Sequence, residues 1–135
     1  MTNQAEKLSA NKDGSADNKK PGVLLLEDDK HIIEFLTLYL EELGIAMDIA
    51  ESESTFRQKL ENRQYSLLIM DISLHKENGG EIAVDLMKNP ETPPIVLFTA
   101  MSPEWVGKNI GNVETIYKPF KIKDITQVLE KYDLL

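Results

Sequence analysis

Five short, largely apolar runs separated by amphipathic stretches constrain the fold of this chain more than any other feature. A short run of consecutive apolar residues is typical of a strand buried on both faces of a parallel sheet. The runs are Val23–Leu26, Ile45–Ala50, Ser66–Met70, Ile95–Phe98 and Val113–Tyr117. Helical periodicity occupies His31–Leu43, Ser52–Asn62, Glu81–Met87, a short segment from Pro103, and Ile122–Tyr132. This alternation predicts an α/β fold: a doubly wound, five-stranded parallel sheet with helices on both faces.

Turn and capping residues agree with these boundaries. Gly44 follows the first helical segment, where a helix C-terminus favours glycine. Ser52 is a good N-cap for the second helix, and Pro103 suits the first turn of the fourth. The run 78–80, Asn-Gly-Gly, predicts a turn before the third helix.

Length and charge indicate one acidic folded domain. The chain has 135 residues, which is enough for a single domain. Residues 1–20 are polar and hold four lysines against three acids. We therefore expect residues 1–21 to form a disordered tail and residues 22–135 to form the folded domain. The whole chain has a formal net charge of −8 and the tail contributes +1, so the folded part carries −9, which disfavours direct nucleic-acid binding.

The composition excludes several further kinds of site. The sequence has no cysteine, which rules out disulfides, thiol nucleophiles and zinc–thiolate sites. No stretch approaches the roughly 20 apolar residues that a membrane span needs. The polar N-terminus also lacks the apolar centre of a secretory signal, so we expect a cytoplasmic protein.

Polar side chains follow four of the predicted strands at the point where each strand ends. The carboxyl ends of parallel strands lie at one edge of the sheet, where open sheets bind their ligands. We therefore expect one pocket that combines carboxylates, a hydroxyl and an amine. Its members are Glu27, Asp28, Asp71, Thr99 and Lys118.

These side chains suit phosphoryl chemistry with a hard cation. Adjacent carboxylates repel one another unless a cation neutralises their charge. Mg²⁺ commonly binds one or two carboxylates together with phosphate oxygens, and Asp28 and Asp71 supply two carboxylates. A carboxylate on a rigid strand end can attack phosphorus, and the Lys118 ammonium would neutralise charge on the transferring group. Three residues at these strand ends also have explanations that need no functional site. Asp29 could be a helix N-cap, Thr99 a common strand residue and Lys118 an exposed surface lysine. The proline after Lys118 fixes the turn there and allows a cis bond.

Four segments in the correct order resemble the response-regulator receiver family, which has the chemotaxis-Y-like fold. They are Val23–Asp29 with its acidic pair, Tyr65–Ile72 with the candidate phosphoacceptor, Ile95–Ala100 with the switch threonine, and Tyr117–Phe120 with the lysine motif. Gly79 also lies at the family's glycine position. The resemblance covers about residues 22–134 and implies the strand order 2-1-3-4-5.

The resemblance implies a role for each residue of the phosphorylation site. Asp71 would be the phosphoacceptor, and Lys118 would pair with the phosphoryl group. Thr99 and the backbone N–H of Ala100 would hold the phosphoryl oxygens and draw the Thr99 loop inward. The donor would be a phosphohistidine of a sensor histidine kinase or a histidine phosphotransfer protein.

The resemblance also implies a magnesium site and a signalling role. Asp28, Asp71 and the backbone carbonyl of Ser73 would bind Mg²⁺ directly, and Glu27 would bind it through water. The output would be a change of shape recognised by a downstream partner protein. Such a domain is a signalling switch rather than a turnover enzyme, and we expect a monomer or a weak homodimer.

The chain departs from the family pattern in three places. His75 stands four residues after the phosphoacceptor, where the family often has proline. Thr115 stands three residues before the lysine, where the family often has an aromatic rotamer switch; Tyr117, on the same strand face, is a candidate substitute. The segment Pro103–Asn112 is short for the family's fourth helix, and we expect Trp105 within it to be a core or rim residue.

Other interpretations stay open. A degenerate receiver would serve as a protein-interaction scaffold without phosphorylation. A magnesium-dependent aspartyl-phosphate phosphatase or phosphotransferase would need a second acid two residues after the nucleophile, where this chain has Ser73. The initial methionine favours a native start, but the sequence also fits the receiver fragment of a longer regulator or hybrid kinase.

Overall fold

A computed structural model describes residues 22–73 and 79–135. The predicted tail, residues 1–21, lies outside the described residues, as do His75 and Asn78. The strands are β1 (Val23–Leu26), β2 (Met47–Ala50), β3 (Leu67–Asp71), β4 (Ile95–Thr99) and β5 (Thr115–Tyr117). The helices are α1 (Lys30–Glu42), α2 (Glu53–Asn62), α3 (Gly79–Met87), α4 (Pro103–Asn109) and α5 (Ile122–Lys131). Over these two ranges, no helix is long and apolar enough to cross a membrane.

The strands form one parallel sheet in the order β2-β1-β3-β4-β5. Val23 pairs with Met47 on one side and with Leu67 on the other. Asp71 pairs with Phe98 across β3 and β4. The predicted α/β class and the strand order 2-1-3-4-5 are therefore confirmed.

Alternation of side chains along the strands divides the interior into two cores, one on each face of the sheet. The first core packs against α2, α3 and α4, and its helical members are Phe56, Ile82, Ala83 and Val106. The second core packs against α1 and α5, and its helical members are Leu36, Leu40, Ile125, Val128 and Leu129. The fold is thus a three-layer sandwich in which β1, β3 and β4 contribute to both cores.

The predicted caps are present. Gly44 follows α1 with φ of 75°, the left-handed conformation that favours glycine. The Ser52 hydroxyl accepts the N–H of Thr55 at 3.3 Å and so caps α2. Pro103 is the first residue of α4, and Ser102 is its N-cap.

Three predicted boundaries were wrong by two residues. The predicted second strand began at Ile45, but the Ile45 N–H donates to Leu40 O at the end of α1, and β2 begins two residues later. Gly79 and Gly80 were predicted in a turn and form the start of α3. The predicted fifth strand began before Thr115, which is the first residue paired with β4.

Candidate functional site

The predicted site residues gather at the carboxyl edge of the sheet. Asp71 ends β3 and Thr99 ends β4, while Glu27 directly follows β1 and Lys118 directly follows β5. Strand alternation places Glu27, Asp71 and Lys118 on the side of the second core and Thr99 on the side of the first. The site therefore straddles the edge of the sheet.

Lys118 joins two buried carboxylates. Its Nζ lies 3.1 Å from Oδ2 of Asp71 and 3.1 Å from Oε1 of Glu27. Burial alone would lower the pKa of Lys118, but the charges of Asp71 and Glu27 and the hydrogen bonds to both outweigh it. The net pKa of Lys118 is raised, so the group remains an ammonium at physiological pH.

Glu27 is an ionisable group with no exposed surface. Its Oε2 accepts the backbone N–H groups of Asp28 at 3.1 Å and Asp29 at 3.0 Å. Burial, and next the charge of Asp71, raise the pKa of Glu27 from 4.5 to about 7, while the Asp29 N–H and Lys118 partly offset the rise. Negative charge on Glu27 is therefore costly even beside the Lys118 ammonium.

Asp71 is held by a residue two positions further along the chain. Its Oδ1 accepts both the backbone N–H of Ser73 at 2.8 Å and the Ser73 hydroxyl at 2.7 Å. These bonds orient the carboxylate, which is only 3% exposed. The sequence predicted a contact to the site only from the backbone carbonyl of Ser73, although a local hydrogen bond between an aspartate and a backbone N–H two residues on is a common turn feature.

Thr99 is fully buried, and its hydroxyl has a defined role in hydrogen bonding. Oγ1 accepts the backbone N–H of Met101 at 2.9 Å, which leaves the hydroxyl proton available for donation. Ala100 lies on the exposed bend between them. The backbone N–H of Lys118 donates to Thr99 O at 2.7 Å and so fixes the end of β5 beside that of β4.

The acidic residues offer a set of oxygens that suits a hard cation. One carboxylate oxygen from each of Glu27, Asp28 and Asp71 lies within 4.8 Å of the others. Ser73 and Lys118 line the same cleft. Asp29 also borders the cleft, but its Oδ1 accepts the His31 N–H at 2.9 Å and caps α1, as its ordinary interpretation predicted.

An aromatic ring that sequence reasoning missed lies against the site. The Lys118 ammonium is 4.8 Å from the centroid of the Phe98 ring. Phe98 is fully buried within β4, and Phe120 packs edge-on against it at 5.0 Å. A phenylalanine inside an apolar strand gives no sequence signal that separates this contact from ordinary core packing.

The departures from the family pattern have structural counterparts. The hydroxyl of Thr115 donates to Val113 O at 2.9 Å. Tyr117 pairs in register with Thr99 and packs, half-buried, against the first core. Trp105 is also a half-buried neighbour of that core, in agreement with the expected core or rim position. The Lys118–Pro119 peptide bond is cis.

Sequence comparison gives one family and several relatives. The family model described as "Response regulator receiver domain" matches residues 23–130. Response regulator ArlR of Staphylococcus saprophyticus is 30% identical over 106 residues, which are 76% of this chain and 48% of that protein. Transcriptional regulatory protein BasR of Escherichia coli K12 is 26% identical over 106 residues, again 76% of this chain and 48% of that protein. The chain thus spans about half the length of these curated relatives.

Structural comparison agrees. The receiver domain of sensor histidine kinase PA1611 from Pseudomonas aeruginosa PAO1, solved with a magnesium ion coordinated in its active site cleft, has a TM-score of 0.73 and 19% identity over 84% of this chain and 98% of that one. The receiver domain of Francisella response regulator 1452 has a TM-score of 0.73 and 24% identity over 84% of this chain and 96% of that one. At these identities the match is one of fold. Because the family model covers nearly all of the folded part, the chain belongs to the response regulator receiver domain family.

Proposed function

We propose that this receiver domain accepts a phosphoryl group on Asp71 and signals to a partner protein by a change of shape. One observation carries the proposal. The Lys118 ammonium lies 3.1 Å from a carboxylate oxygen of Asp71 at the carboxyl edge of the sheet, beside the acidic cluster of Glu27, Asp28 and Asp71. Receiver domains pair with histidine kinases, so the proposed donor is the phosphohistidine of a sensor kinase or of a phosphotransfer protein.

The proposed step is a displacement at phosphorus. A carboxylate oxygen of Asp71 forms the new O–P bond as the P–N bond to the donor histidine breaks, and the imidazole nitrogen keeps the bonding electron pair. The protein contributes position and charge neutralisation rather than further covalent chemistry. Lys118 faces the charge on the phosphoryl oxygens. Hydrolysis of the acyl phosphate returns the carboxylate and inorganic phosphate.

The residues present fit magnesium as the cofactor. Carboxylate oxygens are the ligands that Mg²⁺ prefers, and it commonly uses one or two of them with phosphate oxygens and water. Asp28, Asp71 and the backbone carbonyl of Ser73 would hold the ion, with Glu27 acting through water. The bound ion would supply charge neutralisation for the carboxylates and the incoming phosphoryl oxygens.

The proposed switch begins at Thr99. Its hydroxyl proton is available to donate to a phosphoryl oxygen, because Oγ1 already accepts the N–H of Met101. A donation of this kind, together with the N–H of Ala100, would draw the loop after β4 toward Asp71. Tyr117 is the proposed aromatic partner of this movement, since it pairs with Thr99 across the strands. The downstream target, the oligomeric state and a cytoplasmic location are parts of the same proposal.

Acetyl phosphate provides the test. In MgCl₂ the wild-type protein should gain the mass of one phosphoryl group, and Asp71→Asn should gain none. Asp85→Asn is the matched control, because Asp85 is a carboxylate on α3 that pairs with Arg57. Labelling of Asp71→Asn would refute the assignment of Asp71 as the phosphoacceptor. A wild-type protein that takes up no phosphoryl group from either acetyl phosphate or a phosphohistidine donor would refute the proposal in favour of a scaffold.

A further inference from the structure

Lys118 has a third neighbour besides its two carboxylates. Its Nζ lies 4.8 Å from the centroid of the Phe98 ring. An ammonium over an aromatic face is attracted by the quadrupole of the ring, and more strongly when both groups are withdrawn from water. The Phe98 side chain is fully buried, and the Lys118 side chain is 17% exposed. The contact therefore lies in a largely dry environment.

Strand register fixes the position of this ring. Phe98 pairs with Asp71 on one side and with Ile116 on the other. Lys118 follows Ile116 by two residues, so it is on the same sheet face as Phe98 and Asp71. The ring thus lies between the strand that supplies the carboxylate and the strand that supplies the amine.

A second aromatic contact fixes the orientation of the ring. Phe120 meets Phe98 at 5.0 Å between centroids and 63° between planes, an edge-to-face arrangement. Phe120 in turn lies 5.7 Å from Phe35 on α1. In a close-packed core these neighbours restrict rotation of the Phe98 ring away from the ammonium.

We propose that Phe98 is a positioning residue that holds the Lys118 ammonium against the Asp71 carboxylate. The inference rests on the proposed phosphorylation of Asp71. A lysine side chain is flexible and carries a point charge, so its carboxylate partners alone leave it several rotamers. The ring face adds an apolar wall on the protein side of the ammonium and confines its donors to the cleft where the phosphoryl oxygens arrive.

Phe98→Leu tests the positioning role, because leucine fills much of the same apolar volume without a π face. Labelling by acetyl phosphate in MgCl₂ should slow roughly three- to thirtyfold. Magnesium affinity should stay within about twofold, because the carboxylates are unchanged. Phe56→Leu is the control: Phe56 is equally buried but belongs to the first core, so its rate should match the wild type. A wild-type rate in Phe98→Leu, or an equal loss of rate and of magnesium affinity, would overturn the proposal.

A nuclear magnetic resonance measurement tests the contact without any phosphorylation. Ring current from Phe98 should shift the ε-methylene protons of Lys118 upfield. Lys118→Arg should remove that resonance, which distinguishes it from Lys131, whose amine lies 5.7 Å from the centroid of the Tyr132 ring. The shift should vanish in Phe98→Leu and persist in Phe56→Leu. Absence from the wild type of an upfield-shifted resonance that Lys118→Arg removes would overturn the ring contact. A wild-type protein that shows the shift but takes no label would leave the contact intact and refute the proposed function alone.

Discussion

Replacing Glu27 with glutamine should stabilise the metal-free protein at neutral and alkaline pH. The folded chain holds the Glu27 proton more tightly than the unfolded chain, because its pKa rises from 4.5 to about 7 on folding. Between those pH values the folded state binds more protons, so the free energy of unfolding falls as pH rises. This contribution is fully present below pH 4.5 and lost above about pH 7.

The size of the effect follows from the same pKa. One pKa unit corresponds to about 1.4 kcal/mol, so holding Glu27 ionised in the folded state costs at most about 3–4 kcal/mol. Glutamine keeps an oxygen for the backbone N–H groups of Asp28 and Asp29 but loses the ion pair with Lys118. The pKa of Glu27 already includes the attraction to Lys118, so the further cost is that of an amide NH₂ that cannot accept from the Lys118 ammonium. Allowing about 1 kcal/mol for that lost hydrogen bond, Glu27→Gln should gain about 1–2 kcal/mol near pH 8.

Urea unfolding in EDTA, followed by circular dichroism between about pH 4 and pH 8, measures this difference. The difference in the free energy of unfolding between Glu27→Gln and the wild type should grow as the pH rises and level off above about pH 7. Glu34→Gln, an exposed carboxylate on α1, is the control and should track the wild type at every pH. Saturating MgCl₂ should narrow the gap, because an ion bound only by the folded protein stabilises the wild-type site more. If the free energy of unfolding of the wild type and of Glu27→Gln changed with pH in the same way, the raised pKa of Glu27 would be refuted.

Three further results are expected. Burial, together with a hydrogen bond to Asp48, raises the pKa of Tyr65, so Tyr65 should remain neutral in an alkaline ultraviolet titration while the fold persists. Tyr65→Phe should be less stable by about 1–3 kcal/mol below about pH 10, and this difference should shrink progressively as the pH rises above about 10. Gly22→Ala should destabilise the protein by about 1–3 kcal/mol in urea unfolding, because a Cβ there would lie 2.9 Å from a backbone carbonyl oxygen. Gly107→Ala should instead stabilise α4 by about 0.5–1 kcal/mol, because the space around Gly107 is open. Lys118→Met should destabilise the metal-free protein by a few kcal/mol near pH 8 by leaving buried carboxylates unpaired, and MgCl₂ should restore part of the loss; an unchanged unfolding midpoint would contradict the ion-pair geometry.

The apolar runs located every strand because strands buried on both faces need continuous apolar sequence. The site followed from them, since parallel strands bring Glu27, Asp71, Thr99 and Lys118 to one edge whatever their separation along the chain. Strand alternation also placed Tyr117 and Thr115 on one face, as expected. These features depend on periodicity and topology, which the sequence expresses directly.

Contacts made by backbone N–H groups, serine hydroxyls and buried phenylalanine rings could not be predicted, because these groups occur throughout every protein. The Met101 N–H on Thr99 and the Ser73 hydroxyl on Asp71 depend on loop conformation rather than on residue pattern. The role of Phe98 depends on how Phe120 orients the ring, and an apolar run cannot express this. The start of β2 was misplaced for a similar reason: Ile45 is apolar enough for a strand, but its N–H completes the end of α1.

Because neighbouring positions of β4 face opposite layers, this strand tolerates changes of length poorly. If one residue were added just before Phe98, the Phe98 ring would lie on the α3 side of the sheet and the Thr99 hydroxyl on the α5 side. Thr99 would then be separated from the loop whose movement we propose that it controls. Adding two residues would return Phe98 and Thr99 to their original faces of the sheet and would change only their distance from its carboxyl edge. Homologous chains should accordingly vary in length in the segment between α3 and β4, and any change within β4 itself should come in pairs of residues.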